Sequence, residues 1–538
     1  MAADTVWALL FNSDSRIHLG YGSVGQDAPP TVTARRLAIG AAQLARTWSY
    51  QGLKPGDRVA VWAPNELAYL LVLAAASAGG FVVVSLNTRF SVAEAADIAS
   101  RAGASLVVTD SDEFGQVSSI RVVSCAQIES VPFYCDSFAE APLVAGDLPF
   151  VIFSTSGTTS KPKLVLHTQS SIAVHGYDVA RFLGFDRSTR ALVVLPLCGV
   201  FGLAGFIAAL ACGAEIWLAP TFDAQLAAQT VEQAKIETMS GSDDMFHRML
   251  EARRRSTNRD DTTTRASDGF DLSSLTLACY AGFNPSLVDV AERADKRGIR
   301  MLGAYGMSEV QALFALAAPS LQAEVRKRAG GTVVSPKARI RIVDPDTGDI
   351  CPDGEPGELQ IIGPSLFAGY LREGGGGVDL DLTASGFAVD QAKASEDDSD
   401  TTGVVSNQWF KTGDLAVGRS DGSFEFLTRM GDVLRLGGFL VNPAEIEDVV
   451  LEVPGIVEAQ VVAVARPEGV RPVAVVTVIG PVDEQAVIAH CRKRLARFKS
   501  PIRVLTIDEF PTTPSANGTK IQRNKLLEFA TEQLMIEG

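Results

Sequence analysis

Short apolar runs alternate with helix-period segments through the first half of the chain, and that rhythm restricts the fold more than any other feature. Arg58-Val59-Ala60-Val61-Trp62 predicts a strand, Glu66 to Ala78 a helix entered through Pro64-Asn65, and Phe81 to Ser85 a second strand. Ser91 to Ala102 predicts a helix with Ser91 as N-cap and Glu94 three residues on, a pair that satisfies two orphan amides reciprocally. Ser105 to Thr109 reads as a third strand, and strand-like runs recur at Leu192–Leu195, Ala214–Leu218 and Leu275–Cys279. Strand–helix–strand succession implies parallel strands joined by right-handed crossovers. The expected fold class is α/β, with doubly wound sheets in a large N-terminal domain.

Beyond Lys337 the texture changes. Ala338–Val343 and Glu358–Ile362 alternate around the breaker-rich Asp344-Pro345-Asp346-Thr347-Gly348, which predicts an antiparallel sheet or small barrel. Residues 372–407, which contain Gly374–Gly377 and Glu396-Asp397-Asp398, lack apolar periodicity and read as a flexible surface insertion. Arg253–Asp268 reads as a second polar loop. The last hundred-odd residues form a separate small α+β unit. Its first helix starts at Asn442-Pro443-Ala444-Glu445, a cap, a proline at the first helical position and an acid in the first turn. The domain division expected is 1–430 and 431–538.

A net charge of −15 disfavours a sequence-independent nucleic-acid binder, which would need a basic footprint. The seven cysteines include no C-x-x-C pair, so neither a zinc site nor a disulfide framework is expected, and a reducing cytoplasm is the expected setting. From Ala191 to Ala214 there is no charged residue, enough to cross a bilayer by length. Pro196, Gly199, Gly202 and Gly205 interrupt the run, however, so a buried strand–helix pair is expected and no membrane span.

The apolar run Pro149–Phe153 opens into Thr155-Ser156-Gly157-Thr158-Thr159-Ser160-Lys161-Pro162-Lys163. A strand leading into small hydroxyl and glycine residues and then a lysine lets backbone amides approach phosphates, with an ammonium as point charge. Further along lie Tyr305-Gly306-Met307-Ser308-Glu309, Trp409-Phe410-Lys411-Thr412-Gly413-Asp414, Thr428-Arg429-Met430-Gly431-Asp432 and Asn517-Gly518-Thr519-Lys520-Ile521-Gln522-Arg523. In this order, from Val59 to Leu526, these segments resemble the adenylate-forming superfamily: acyl-CoA synthetases, peptide-synthetase adenylation domains and luciferases.

The resemblance implies roles for these residues. Thr155, Ser156, Gly157, Thr158, Thr159 and Lys163 would hold ATP phosphates, and Tyr305 would stack on adenine. Ser308 would contact the α-phosphate and Glu309 would hold Mg²⁺, a hard cation suited to carboxylate and phosphate oxygens. Asp414 would accept hydrogen bonds from the ribose hydroxyls, with Arg429 near the same sugar. Lys520 would be the catalytic lysine, offsetting charge at the α-phosphorus. Gly431 would be the hinge on which the small domain turns between two half-reactions, acyl-AMP formation and thiol displacement of AMP. Gly437, Gly438 and Phe439 would face coenzyme A. The basic residues Arg492, Lys493, Arg494 and Arg497 fit ordinary solvation or docking of CoA phosphates. With no carrier module after the small domain, free CoA is the expected thiol.

Gly199, Val200, Gly282, Gly303, Ala304 and Met307 would line the acyl pocket. Their small size favours a bulky alicyclic, aromatic or terpenoid carboxylic acid. Three departures from the family pattern favour a second possibility. Ser160 and Leu164 replace glycines of the phosphate loop, Gly431 replaces an Asp or Lys, and the lysine loop is longer than usual. An enzyme weakened in adenylation would perform only thioesterification of supplied acyl-AMP, and a partner enzyme would make the adenylate. A catalytically silent acyl- or nucleotide-binding protein is the alternative of another class, and the retained Glu309 and Lys520 oppose it.

Overall fold

The computed structural model describes residues 5–24, 28–130, 144–155, 162–253, 269–282, 287, 289–372, 374, 376–389, 408–436, 439–466, 469–515 and 518–536. The chain divides into two compact units: Met1–Gly282 with Leu287–Arg339 and Ile361–Phe410, and Phe283–Ser286 with Ile340–Gln360 and Lys411–Gly538.

The first unit is built on two sheets. One runs, in spatial order, Gly369–Tyr370, Leu164–Thr168, Pro149–Ser154, Val82–Ser85, Arg58–Val61, Ala104–Val108 and Arg121–Val123. Its last five strands are parallel, as the alternation predicts, and the first two are antiparallel additions at the edge. In the other sheet Arg16–Leu19, Glu215–Leu218, Arg190–Val193, Thr238–Ser242, Leu277–Ala281 and Arg300–Met307 run parallel. The helix Leu67–Gly79 is buried from Ala68 to Ala78, which matches its apolar composition on every side. Helix Val92–Arg101 carries the predicted capping box between Ser91 and Glu94.

The uncharged run resolves into strand Arg190–Val193 and helix Val200–Ala211. A Cβ on Gly202 would lie 2.2 Å from the Pro196 carbonyl oxygen, so only glycine allows the helix to turn this close to the loop before it. No described helix is long and apolar enough to cross a membrane.

The expected flexible insertion is corrected in its first part. Asp379 caps the helix Leu380–Ser385 by accepting from the Leu382 amide, and Phe387–Val389 pairs with the strand beginning at Gln408. The ordering force is aromatic: Phe387 stacks on Phe367 and meets Phe410 edge-on. Residues 390–407 lie outside the described residues, as do 254–268 of the second polar loop.

In the second unit, strands Pro356–Ile362, Gln408–Gly418 and Phe424–Arg429 are neighbours, the last two antiparallel. Beyond them stand the hairpin Leu434–Leu436/Phe439–Val441, helix Pro443–Leu451 and a three-stranded sheet of Ile456–Arg466, Gly469–Val478 and Arg503–Thr506. Helix Glu484–Arg494, hairpin Thr512–Ser515/Gly518–Ile521 and helix Arg523–Ile536 complete it.

Two buried histidines, His167 on strand Leu164–Thr168 and His175 on helix Gln169–Leu183, bond the segment that follows Arg300–Met307. His167 Nε2 donates to the Ser308 carbonyl and His175 Nε2 to the Ala312 carbonyl, each at 2.7 Å. Burial lowers both imidazoles from 6.5 to about 4, against the opposing pull of those carbonyl bonds. A depressed histidine resists protonation in the folded state while the unfolded chain still binds the proton. Stability is therefore full above pH 6.5 and falls as pH drops toward 4, by about 3 kcal/mol per histidine. Urea titrations across that window should show this slope, and His175→Gln should remove roughly half of it.

Candidate functional site

The strands Pro149–Ser154 and Leu164–Thr168 form a hairpin, and its loop is the candidate phosphate loop. The mouth is closed by two bonds: the Thr155 amide donates to the Lys163 carbonyl at 2.9 Å, and the Lys163 amide donates to Thr155 Oγ1 at 3.2 Å. Arg101 Nη2 donates to the Pro162 carbonyl at 2.7 Å. Ser156, Gly157, Thr158, Thr159 and Ser160 lie outside the described residues. Leu164 opens the returning strand. Its side chain is buried in the sheet core with Ile152, Leu166 and Leu371, so this departure from glycine is a packing choice.

Lys163 places its ammonium 4.6 Å from the centre of the Tyr370 ring, a cation–π contact. The Tyr370 hydroxyl donates to Glu309 Oε1 at 2.8 Å. Both residues are buried, Glu309 to 6% and Tyr370 to 5% exposure. The structure thus brings Lys163 and Glu309 to one tyrosine that sequence reasoning did not select. The signal available was the Gly369-Tyr370 pair two residues beyond Phe367, just before the glycine-rich stretch. The Tyr370 bond engages one carboxylate oxygen of Glu309, and the other, Oε2, is the candidate oxygen for a cation. Among those residues no group of three or more His, Cys, Asp or Glu side chains could hold a metal ion, so substrate oxygens would have to complete any coordination shell.

Glu309 lies between strands Arg300–Met307 and Gln311–Leu316, which pair antiparallel across an irregularity. A Cβ on Gly306 would fall 2.5 Å from the Ala312 Cα, so the motif glycine is required by close approach of the returning strand. Gln311 and Leu313 take φ of 66° and 63°, a left-handed backbone that costs energy for non-glycine residues. The Gln311 amide holds the turn by donating to the Ser171 and Ser365 carbonyls at 2.8 and 3.3 Å. Tyr305 is buried, with its hydroxyl 4.0 Å from the Met307 sulfur.

Asp414 and Arg429 face each other across adjacent strands and form an ion pair at 2.9 Å. Asp414 is nearly fully buried, whereas Arg429 is half exposed. The Thr412 hydroxyl accepts the Asp414 amide and donates to the Leu359 carbonyl, which fixes the aspartate's backbone. Gly431 occupies the turn after Arg429, with nothing within 4 Å of a Cβ built there.

Lys520 sits on the hairpin strand Gly518–Ile521, with Thr513 as its partner across the hairpin. Ala516 and Asn517 of the lysine loop, and Gly437 and Gly438 at the tip of the thiol-facing hairpin, lie outside the described residues, while Phe439 opens that hairpin's second strand. Two residues link these hairpins. Arg523, immediately past the lysine strand, pairs with Glu447 at 3.0 Å, and Glu447 lies on the helix that follows the thiol-facing hairpin. Glu447 also accepts the Val461 amide at 2.8 Å. Burial pushes its carboxyl upward, and Arg523 pulls it back.

The expected acyl-pocket residues divide. A Cβ on Gly199 would meet only the Pro196 carbonyl at 3.6 Å, and one on Gly282 only Asp243 Oδ2 at 3.8 Å, so both leave usable space. Val200 opens the helix that Gly199 caps. At Gly303 the space is already filled: the Arg328 carbonyl oxygen would be 2.1 Å from its Cβ. Gly303 therefore serves backbone packing, with Ala304 and Met307 half-buried further along its strand. An apolar cavity lies along the helix beyond Gly199, lined by Phe201, Gly202, Gly205, Leu195, Met239 and Leu313 among others.

The family model of AMP-binding enzymes matches residues 17–371, and that of the AMP-binding enzyme C-terminal domain matches residues 445–517. The 2-succinylbenzoate–CoA ligase of Bacillus licheniformis is 27% identical over 480 residues, covering 88% of this chain and 90% of that protein. The feruloyl-CoA synthase of an Amycolatopsis species is 29% identical over 500 residues, covering 90% and 91%. Among solved structures, ATP-bound MatB from Rhodopseudomonas palustris superposes with a TM-score of 0.77 at 23% identity, covering 98% of each chain. The chain belongs to the AMP-binding enzyme family, the adenylate-forming superfamily of acyl-CoA ligases and synthetases.

Proposed function

We propose that this enzyme joins a bulky, largely apolar carboxylic acid to coenzyme A in two steps. In the first, a carboxylate oxygen of the acid attacks the α-phosphorus of ATP, the bond to the β-phosphate oxygen breaks, and pyrophosphate leaves. In the second, the sulfur of CoA attacks the acyl carbonyl carbon, AMP departs, and the thiol proton passes to solvent. The observation that carries the reading is the cluster of Lys163, Tyr370 and Glu309 beside the phosphate-loop hairpin, within a chain matched to AMP-binding enzymes.

Glu309 fits a magnesium site, with one oxygen held by Tyr370 and the other the candidate ligand. Mg²⁺ bound there would neutralise phosphate charge and orient the pyrophosphate leaving group. Lys163 supplies a cation toward the loop, and Asp414 offers a buried carboxylate to the ribose. Lys520 is assigned to the α-phosphate and acyl carboxylate, and Gly431 to the hinge. Retention of adenylation is supported by Leu164, whose side chain packs in the sheet core. No specific observation favours the thioesterification-only reading.

Bulk in the acid is supported by Gly199 and Gly282, where an added Cβ would meet only one atom each, at 3.6 and 3.8 Å. Two relatives, a 2-succinylbenzoate–CoA ligase and a feruloyl-CoA synthase, agree by name with an aromatic acid.

Paired assays test the reading. Acid-dependent ATP–pyrophosphate exchange follows the first step, and thioester formation from synthetic acyl-adenylate and CoA follows the second. Both should proceed with aromatic and alicyclic acids, and absence of exchange with every such acid would refute the two-step assignment. Lys520→Ala should lower exchange by at least a hundredfold, as loss of one electrostatic stabiliser does. The same variant should keep thioesterification of supplied adenylate within a few-fold, and equal loss in both assays would remove the lysine from its assigned step. Gly199→Trp should reduce kcat/KM for bulky acids by roughly 10- to 100-fold and spare acetate, because the added ring fills the space beside the acyl group.

A further inference from the structure

We infer that Tyr370 is the positioning residue of the phosphate site: its hydroxyl orients Glu309 for the divalent cation, and its ring face seats Lys163. The inference rests on the proposed ligase reading.

Three independent constraints fix the tyrosine. Gly369–Tyr370 pairs antiparallel with the strand that leaves the phosphate loop, setting Tyr370 opposite Val165. Its amide donates to Thr383 Oγ1 at 3.0 Å, and its carbonyl accepts the Asp379 amide at 2.7 Å. Phe367 meets the ring edge-on at 4.8 Å and is itself packed against Phe387 and Phe410. The backbone is therefore held by a strand pair, and the ring cannot swing away without leaving its Phe367 contact and its bond to Glu309.

From this fixed ring, one donor and one π-face reach opposite charges. The hydroxyl donates to Glu309 Oε1, which restricts the carboxylate's rotation and leaves Oε2 as the oxygen for a metal. A hydrogen bond of this kind behind a ligating carboxylate governs metal affinity, and its loss typically weakens binding 10- to 100-fold. Phe367 reinforces the arrangement by donating its amide to the Glu309 carbonyl at 2.8 Å, so side chain and main chain of the glutamate are both held from one segment. The ring face 4.6 Å below the Lys163 ammonium keeps that cation beside the carboxylate without pairing it directly, so it stays available to phosphate oxygens.

Two substitutions separate the two functions. Tyr370→Phe keeps the ring and deletes the hydroxyl; Tyr370→Leu deletes both. The first readout is the free Mg²⁺ that gives half-maximal ATP–pyrophosphate exchange. The second is the rise in melting temperature produced by ATP with Mg²⁺, compared with AMP alone, on protein free of acid and CoA. Tyr370→Phe should raise the half-saturating Mg²⁺ about tenfold or more and shrink the Mg²⁺-dependent thermal shift. The AMP-only shift, and thioesterification of supplied acyl-adenylate, should match the unmodified protein. Tyr370→Leu should in addition raise the KM for ATP, because Lys163 loses its seat. In a Glu309→Gln background, Tyr370→Phe should cause no further change in Mg²⁺ dependence. An unaltered Mg²⁺ requirement in Tyr370→Phe, or an equal loss of the Mg²⁺-dependent and AMP-only shifts, would overturn the assignment. Absence of Mg²⁺-dependent exchange in the unmodified enzyme would instead overturn the ligase reading beneath it.

Discussion

The antiparallel strand Leu164–Thr168 is the constraint on which the catalytic geometry of the first unit depends. It lies between the parallel strands of its sheet and the outermost pair Gly369–Tyr370, and it carries the returning arm of the candidate phosphate loop. His167 on this strand reaches 141 residues along the chain to the carbonyl of Ser308. Leu166 accepts the Ala368 amide, and Val165 pairs with Tyr370. One strand thus sets the loop, the acidic motif and the tyrosine between them. Its imidazole is buried and neutral, so the joint stays a hydrogen bond between uncharged groups and avoids the desolvation cost of an ion pair.

The acidic motif needs such external support because its own backbone is unfavourable. Gly306 admits a strand that no other residue would, and two left-handed non-glycine residues follow within seven positions. Strain of this kind persists only where the surroundings over-determine it. Here the surroundings are the Gln311 side-chain bonds, the His175 bond to Ala312 and the Phe367 bond to Glu309. The result is a carboxylate in a buried, preorganised position before any nucleotide arrives.

Much of this was legible in the sequence. Parallel strands follow from the alternation of apolar runs and helices, and the capping box at Ser91 and the capped start at Asn442 stand where their residues place them. The ordered motifs bring together Asp414 and Arg429, whose pairing is a matter of register across two neighbouring strands. Tyr370 escaped notice because its role is a contact at long separation, invisible to local patterning. Gly303 misled for the opposite reason: a small residue reads as free volume, and only the fold shows that a carbonyl occupies it. The stretch after Tyr370 lacks period, and its order comes from contacts that no period signals: Asp379 and Thr383 bond the Tyr370 backbone, and Phe387 joins an aromatic cluster.

The Glu447–Arg523 pair gives the second unit a mechanical property. Leu434, Leu436, Val441, Ile446 and Val450 share one core, so the thiol-facing hairpin and the helix bearing Glu447 form one solid piece. Arg523 bolts the end of the lysine hairpin to that piece. The hairpin carrying Lys520 is therefore tied by a charged pair to the same body that carries the Leu434–Val441 hairpin.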